Sequence, residues 1–487
     1  MARKSKVIWK DGVDKREVGY YSTPSFISEY LTREMLAINP AGRLVLDPSV
    51  GKEELLSGFH QAGKEILGID INRYKDNYDY CDFLQKNFIE YYSDLQTQAI
   101  FKGMVETEYD YIIANPPYNC HELSYIRENK KWLMSLFDVG AHNMYSMFLS
   151  AMIDMAKDGC VIGVIISDSF LTASMHGRLR NKILQECSIH QIILCPADLF
   201  RSQSADVRTC ILLLQKGKSY QKEVMICNRP ANTHMLEDIL INRTLVATEL
   251  DRIILPCVKL NNQIIVGVPK DVVDLFNNYP AMGDLYKCIT SISTGNDSKY
   301  LSRVPLKGFS IPFYKNPASR KFKGYPDAYL IDSYMEESLC KKDFMVRNKS
   351  YLDKEGIACS SMGLPFSAVY LPPEGVTGVN PSIFPPKDDI YWLIAYLNSS
   401  LVTYIVRAVL IRSNMVTSGY VSCIPVMEFD EDEKRILSSI TMDAINGDLE
   451  QDDAIKLIDN LIFEKEIFGS EIVREILRYT KHLSQSV

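Results

Sequence analysis

The chain has 487 residues, 46% of them hydrophobic and 24% charged, with a formal net charge of −7. Such a length asks for at least two domains, and the composition is that of an ordinary globular protein, not of a disordered or fibrous one. The 12 cysteines form no Cys-x-x-Cys pair and the 7 histidines show no metal-ligand spacing, so reduced, buried thiols are expected and no metal; no apolar run is long enough for a bilayer, and Met1-Ala2-Arg3-Lys4-Ser5-Lys6 leads into polar sequence instead of a secretory leader.

In chain order, Tyr20-Tyr21-Ser22-Thr23-Pro24 precedes a helical pattern, with Thr23 placed as its N-cap and Pro24 at the first helical position. Arg43-Leu44-Val45-Leu46 reads as a short buried strand running into Asp47-Pro48-Ser49-Val50-Gly51, and Glu54 to Phe59 begins a helix. A second strand, Ile66-Leu67-Gly68-Ile69, ends in Asp70 and Ile71, at about the spacing where nucleotide-binding α/β folds place the acid that accepts from ribose hydroxyls. Cys81-Asp82-Phe83-Leu84 adds a third acid beside an aromatic ring, a pair suited to the edge and face of a planar base. Singly, each acid is equally well a solvated strand end or a helix cap. Their joint order is harder to explain that way.

The apolar stretch Tyr111-Ile112-Ile113-Ala114 runs directly into Asn115-Pro116-Pro117-Tyr118. Two prolines fix φ and remove two donors, which leaves carbonyl oxygens at the carboxyl end of a strand, where open α/β sheets bind ligands. An exocyclic amine has two hydrogens to donate. The Asn115 side-chain oxygen and the Pro116 carbonyl offer two acceptors, and Tyr118 offers a ring for stacking. Taken alone, the tetrapeptide is equally a Pro-Pro turn. Further on lie a helical segment, Asn143-Met144-Tyr145-Ser146-Met147-Phe148, a strand from Val161 to Ile166 followed by Ser167-Asp168-Ser169-Phe170-Leu171, then Asp198-Leu199-Phe200 and a strand-like Thr209 to Lys216.

With these segments in this order, the chain resembles the gamma-class S-adenosylmethionine-dependent DNA adenine-N6 methyltransferases of the NPPY type, over nearly its whole length. The resemblance implies an α/β architecture: a Rossmann-like seven-stranded methyltransferase domain, an α+β DNA target-recognition domain and a short helical tail. It implies S-adenosyl-L-methionine as cofactor, held by Tyr21, Thr23, Pro24, Asp47, Pro48, Ser49, Gly51, Asp70, Ile71, Asp82, Phe83 and Asn115. Asn115, Pro116, Pro117 and Tyr118 then form the catalytic loop, and Tyr118 and Phe200 stack on an adenine flipped out of double-stranded DNA. The implied reaction is direct methyl transfer, in which hydrogen bonds from the amine to Asn115 and Pro116 return lone-pair density to nitrogen. One departure is Glu53, which occupies the place of a second glycine and is expected to crowd or repel the methionine carboxylate. On chemistry alone, cytosine N4, a protein glutamine amide or an RNA guanine amine remain open as acceptors, as does a non-catalytic DNA-binding subunit.

The second half gives looser signals. Residues 217–256 are weakly patterned, and the expected divisions are 1–245 for the catalytic domain, 246–429 for target recognition and 430–487 for an acidic helical segment with Ile455, Ile458, Leu461 and Ile462 on one stripe. Leu371-Pro372-Pro373-Glu374-Gly375 and Phe384-Pro385-Pro386 break short strands ahead of a helical stretch from Ile390 to Val409. From Met427 onward 15 acidic residues face 7 basic ones, a local −8 against −7 for the whole chain, so the rest is near neutral. Lys299, Arg303, Lys307, Lys315, Arg320, Lys321 and Lys323 form a run without an acid, interleaved with Tyr300, Phe309, Phe313, Tyr314 and Phe322. Such a run suits DNA contact; a solvated loop with structural aromatics is the alternative. The expected setting is the cytoplasm of a bacterium or archaeon, nucleoid-associated and without membrane contact. The expected partners are double-stranded DNA, bound as a monomer, and a cognate restriction endonuclease or other defence-system protein. About twenty residues precede the first motif, too few for an N-terminal nuclease, and Pro326-Asp327 with Lys341-Lys342 is read as a chance nuclease-like spacing.

Overall fold

The computed structural model describes residues 21–102, 109–118, 123–200, 207–217, 222–255, 262–341, 343–362, 365–411, 415–465 and 467–485. The chain divides into two compact units, Met1–Gly267 and Val268–Val487.

The first unit is built on one nine-stranded sheet. Its strands are β1 (Leu44–Asp47), β2 (Glu65–Asp70), β3 (Asp82–Gln85), β4 (Tyr111–Ala114), β5 (Val161–Ser167), β6 (Cys187–Leu194), β7 (Thr209–Lys216), β8 (Glu223–Cys227) and β9 (Val246–Glu249), in the order β3-β2-β1-β4-β5-β7-β6-β8-β9. From β3 to β5 all neighbours are parallel, and β7 lies antiparallel between β5 and β6. The order reverses between β1 and β4, which opens a crevice at their carboxyl ends. Asp47 closes β1 and Asn115 follows β4, so the two segments singled out in the sequence meet at this crevice.

Side chains alternate across the central strands. Leu46, Ile112, Ala114, Ile162, Val164 and Ile166 join one buried cluster, together with Phe88 and Ile89 of the helix Phe88–Lys102 and most of the helix Met144–Met155. Val45, Tyr111, Ile113, Val161 and Ile165 join a second cluster on the other face, against Ile27, Tyr30, Leu31 and Met35 of the helix Ser25–Ile38. Strands buried on both faces read as continuous apolar runs, which is why β4 and β5 are legible as strands. Gly163 lets the helix approach: a Cβ there would lie 2.5 Å from the Met35 sulfur.

Two boundaries differ from expectation. Strand β9 pairs with β8, and Ile264 and Val266 belong to the first unit's core, so that unit continues well past residue 245. Three of the four β9 residues are exposed, which erases the apolar pattern that would have marked it. The helix expected from Glu54 starts at Ser57, because Gly51 and Glu53 both adopt left-handed backbone and the chain turns through Leu56 first.

The second unit holds two four-stranded sheets. With strands β10 (Lys287–Ile289), β11 (Ile292–Ser293), β12 (Leu301–Ser302), β13 (Phe309–Tyr314), β14 (Ala328–Ile331), β15 (Met345–Val346), β16 (Gly356–Cys359), β17 (Ala368–Leu371), β18 (Val376–Thr377) and β19 (Ser382–Phe384), their orders are β10-β19-β16-β17 and β12-β14-β13-β18, beside a β11-β15 ribbon. The helix Ile390–Asn398 is buried along nearly its whole length and ends where the Ser399 side chain caps the next helix, Ser400–Tyr404. The acidic tail forms the helices Glu431–Asn446, Gln451–Phe463 and Ser470–Gln485, which pack on these helices within the same unit. Among the described residues no single helix is long and apolar enough to cross a bilayer.

Candidate active site

A cleft opens at the carboxyl ends of β1, β2 and β4. From the β1 loop it is lined by Asp47, Pro48, Ser49, Gly51 and Glu54, from β2 by Asp70 and Ile71, and from the segments beside β4 by Asn115, Pro117, Tyr21 and Thr23. Three carboxyl groups thus face one small space.

Asp47 is buried, and its Oδ1 accepts the Ser49 N–H at 3.0 Å. Burial pushes its carboxyl well above the ordinary range, and the neighbouring carboxylates of Asp70 and Glu54 push the same way. Burial also raises Asp70, against the Asn72 and Gly51 N–H groups that donate to it at 3.0 and 3.1 Å. Gly51 has φ 52°, the left-handed conformation that turns its N–H toward Asp70. A carboxylate with two oxygens retains lone pairs beyond these bonds, so Asp70 is able to accept from a diol.

Asn115 is oriented by the N-terminal segment. Its Nδ2 donates to the Tyr21 carbonyl and to the Thr23 hydroxyl, both at 3.0 Å. Two acceptors on one side fix the amide, so Oδ1 faces the other way and accepts from the Tyr118 hydroxyl. The Ile165 carbonyl lies 3.0 Å from the same hydroxyl, so its one proton is shared between two acceptors. Burial holds the Tyr118 phenol well above its usual pKa, so it stays a donor. The Tyr118 ring stacks on Tyr21 at 5.8 Å and 20°, and Phe200 tilts against both, at 6.0 Å from Tyr21 and 6.3 Å from Tyr118.

Several expected site residues sit elsewhere. Asp82 opens β3, in register with Leu67 at the far end from Asp70, and it does not line the cleft; nor does Phe83, whose ring stacks on Tyr78 at 4.0 Å. The register of β3 against β2 brings Asn87 and Phe88, just after the strand, to the cleft instead. Nothing local in the sequence marks that register. Thr23 is no N-cap: Pro24 takes that position without a side-chain bond, because the Thr23 hydroxyl is engaged by Asn115, and Pro24 lies outside the cleft lining. Phe200 is 1% exposed and packed among the molecule's own rings, not presented to a base. Pro116 is buried and also outside the lining. Glu53 does not face the cleft either; its side chain turns to the loop after β2.

The basic run of the second unit separates into three kinds of residue. Arg303, Lys307 and Lys323 are exposed. Lys315 pairs with Asp297, Arg320 with Asp327, and Lys299 lies 3.9 Å from Glu337, acids that the fold brings in from outside the run. Lys321 is a correction. It is 7% exposed, its Nζ donates to the Asn398 carbonyl at 2.8 Å, and burial lowers its pKa to about 8 against the pull of Asp459 and Asp452. Tyr300, Phe313, Tyr314 and Phe322 are buried core rings, so they are not stacking platforms. Asp327 pairs with Arg320 and accepts the Lys315 and Asn316 N–H groups, a structural role; Lys342 lies outside the described residues.

The strand order, the carboxylate-lined cleft at the switch point and the fixed Asn-Pro-Pro-Tyr loop together define a Rossmann-like methyltransferase domain carrying an additional α+β unit. Residues 12–259 match the family described as N-6 DNA Methylase, half of the chain, and the chain belongs to that family. It is 27% identical over 212 residues to the Type II methyltransferase M.BanIII of Aneurinibacillus aneurinilyticus, covering 37% of this chain and 36% of the relative. It is 26% identical over 239 residues to the Type II methyltransferase M.BsuBI of Bacillus subtilis, covering 44% and 46%. The chain therefore spans less than half the length of these two curated relatives. Among solved structures, the Type IIL restriction-modification enzyme MmeI in complex with DNA aligns over 97% of this chain and 79% of its own, with a TM-score of 0.61 at 10% identity, a likeness of fold.

Proposed function

We propose that the chain is a site-specific DNA methyltransferase that moves a methyl group from S-adenosyl-L-methionine to the N6 amine of an adenine turned out of double-stranded DNA. The observation that carries this reading is the held amide of Asn115, fixed through Nδ2 by Thr23 and Tyr21 beside a cleft lined by Asp47, Glu54 and Asp70. The cofactor's two cationic groups, an ammonium and a sulfonium, suit a space lined by Asp47, Glu54 and Asp70, and burial opposes the ionisation of Asp47 and Asp70. When bound, the cofactor supplies an electrophilic methyl group.

The protein's own part is positioning. Asp70 is placed to accept ribose hydroxyls, with Asp47 at the cationic end and Ile71 and Phe88 beside a planar ring. Asn115 Oδ1 is oriented to accept one amine hydrogen of the target base; the carbonyl of Pro116, a residue outside the cofactor cleft's lining, is the acceptor proposed for the other. Withdrawing both hydrogens into bonds localises the lone pair on nitrogen, which the delocalised amine otherwise lacks. Fixed acceptors of this kind need no reorganisation at the moment of transfer. Extruding the base costs a few kcal/mol of unstacking. The Tyr118 ring is the platform proposed to offset it, and this requires the ring to leave its present bond to Asn115.

In this reading the second unit reads the target sequence, with Arg303, Lys307 and Lys323 as phosphate contacts. Their place in the cleft lining supports cofactor-binding roles for Tyr21, Thr23, Pro48, Ser49 and Gly51. A cognate endonuclease and a cytoplasmic setting accompany the restriction-modification reading supported by the named relatives. The test is modification sequencing of DNA from a methylation-free bacterial host expressing the intact chain or Asn115→Ala. Motif-specific N6-methyladenine only with the intact chain is expected; equal marking by both would refute the role of Asn115, and a mark on cytosine the choice of acceptor.

A further inference from the structure

Glu53 breaks a local rule. It has φ 69°, a conformation that favours glycine, yet it carries a side chain that is buried, with 1% of the residue exposed. A strained residue of this kind persists when its surroundings over-determine it. Here the surroundings are the strap 71–80, in the connection between β2 and β3.

The Glu53 carboxylate accepts from Lys75 Nζ at 2.5 Å, from the Asp79 N–H at 3.1 Å and from the Tyr80 N–H at 2.7 Å. Lys75 also bonds Asp79 at 3.1 Å. A second tie lies alongside: the Tyr78 hydroxyl donates to the Gly51 carbonyl at 3.2 Å and accepts the Tyr74 N–H at 3.1 Å. The Tyr78 ring stacks on Phe83 at 4.0 Å, with the Arg73 guanidinium 5.8 and 5.4 Å from the two ring centres. The far half of the strap is thus bound to the β1 loop. Its near half presents Ile71 and Tyr74 to the cleft, next to Asp70. Ile71 is 57% exposed, an apolar side chain left facing the open cleft. Although burial opposes it, the Lys75 ammonium and the two N–H donors hold the Glu53 carboxyl below its usual range, so the tie is ionic at neutral pH.

We propose that Glu53 is a positioning residue for the cofactor: it fastens the strap 71–80 so that Ile71 and Tyr74 stand as a preformed wall for the adenosine half. The substitution of a glycine by Glu is then a gain in this chain, not a loss of cofactor affinity. The proposal rests on the cleft binding S-adenosyl-L-methionine. A local view predicts the reverse, because Glu53→Gly relieves the left-handed strain and should leave binding equal or better.

The experiment measures two things on Glu53→Gly, Glu53→Gln and Lys75→Met: amide exchange of Asp79 and Tyr80 without ligand, and binding of S-adenosylhomocysteine by calorimetry. Glu53→Gly is expected to lose the protection of both amides. If the strap is then in place in about a tenth of molecules, apparent affinity falls about tenfold. The cofactor KM should rise by the same factor at unchanged saturated kcat, since no group at the reacting atoms is altered. Glu53→Gln, whose single oxygen can accept only one of the two N–H groups that the carboxylate takes on separate oxygens, should recover part of both. Lys75→Met lies at a partly exposed position and tests the tie without touching the strained residue; it should shift both readings in the same direction. Unchanged amide protection, or unchanged affinity in Glu53→Gly and Lys75→Met, overturns the assignment. An intact chain that fails to bind S-adenosylhomocysteine sinks the cofactor reading itself, and Glu53's role with it. That outcome differs from binding by the intact chain that is indifferent to residue 53.

Discussion

The Tyr118 hydroxyl donates to Asn115 Oδ1, the atom proposed to accept the amine of the target base. The loop therefore satisfies its own acceptor, and in the proposed reading capture of a base exchanges one hydrogen bond for another. Because the Ile165 carbonyl also takes the Tyr118 hydroxyl, Tyr118 has a second acceptor that is lost when the ring swings out. Tyr118→Phe removes the competitor and keeps the ring. It is expected to transfer methyl groups at least as fast as the intact enzyme in single turnover, while Tyr118→Ala forfeits base stacking worth about 1 to 3 kcal/mol. A 2-aminopurine probe at the target position reports base flipping directly. If the Phe and Ala variants are equally impaired, the hydroxyl is a catalytic partner and not a placeholder.

The other side of the Asn115 amide depends on Thr23. Thr23→Val keeps the shape and removes one of two acceptors for Nδ2, leaving the Tyr21 carbonyl to hold the amide alone. A neutral hydrogen bond of this kind contributes about 1 kcal/mol net, so a fall in kcat of several-fold is expected. Thr23→Ser should restore it. A loss confined to cofactor KM would instead make Thr23 a cofactor contact without a role in orienting Asn115.

What could be read from the sequence at this site has a physical pattern. Asp47, Asp70 and Asn115 each terminate a short apolar strand, and a strand end is a local signal; all three meet at the cleft. Asp82 ends no strand but opens β3, and it lies outside the cleft because its place depends on how β3 registers against β2. The cleft positions of Asn87 and Phe88 were hidden for the same reason. Glu53 looked like an intruder on the cofactor because its partners, Lys75, Asp79 and Tyr80, belong to a loop without periodicity. In the second unit, a run of basic and aromatic residues is one-dimensional information. The fold sends Tyr300, Phe313 and Phe322 inward and brings Asp297, Asp327 and Glu337 to the cations.

Asp47 is a buried carboxyl raised above its ordinary pKa, so in the folded, ligand-free protein it binds its proton more tightly than in the unfolded chain. Between the two pKa values stability falls as pH rises, and the full cost of an ionised, buried carboxylate is present above the folded value. Asp47→Asn removes that cost while its side-chain oxygen still accepts the Ser49 N–H. A gain of about 1 kcal/mol in ligand-free stability at neutral pH is expected, the usual trade at a site built for a ligand, together with a severe loss of S-adenosyl-L-methionine binding. For the intact chain, binding a cation favours the ionised carboxyl, so affinity weakens on acidification from a higher pH than an ordinary Asp would give, and protons are released on binding. Calorimetry in buffers of different ionisation enthalpy measures that release. Proton uptake, or stability lost in Asp47→Asn, would contradict the argument.

Lys321 tests whether the basic run acts as a unit. Its ammonium is buried against Asn398, with a folded pKa of about 8, below the ordinary lysine value of about 10.4. In that window the unfolded chain holds more protons than the folded one, so this residue makes stability rise with pH from about 8 upward and contributes no slope below it. Lys321→Met lacks the group, so its urea midpoint should rise less than that of the intact chain between pH 7 and pH 10. A buried lysine also releases no DNA counterions. Each phosphate contact contributes about 0.9 to the slope of log affinity against log salt, so Lys307→Ala or Lys323→Ala should each lower the slope by about that amount if these exposed residues touch DNA. Lys321→Met should leave it unchanged. A lowered slope in Lys321→Met, in a variant whose melting is otherwise cooperative, would mean that the lysine emerges from the core when DNA binds.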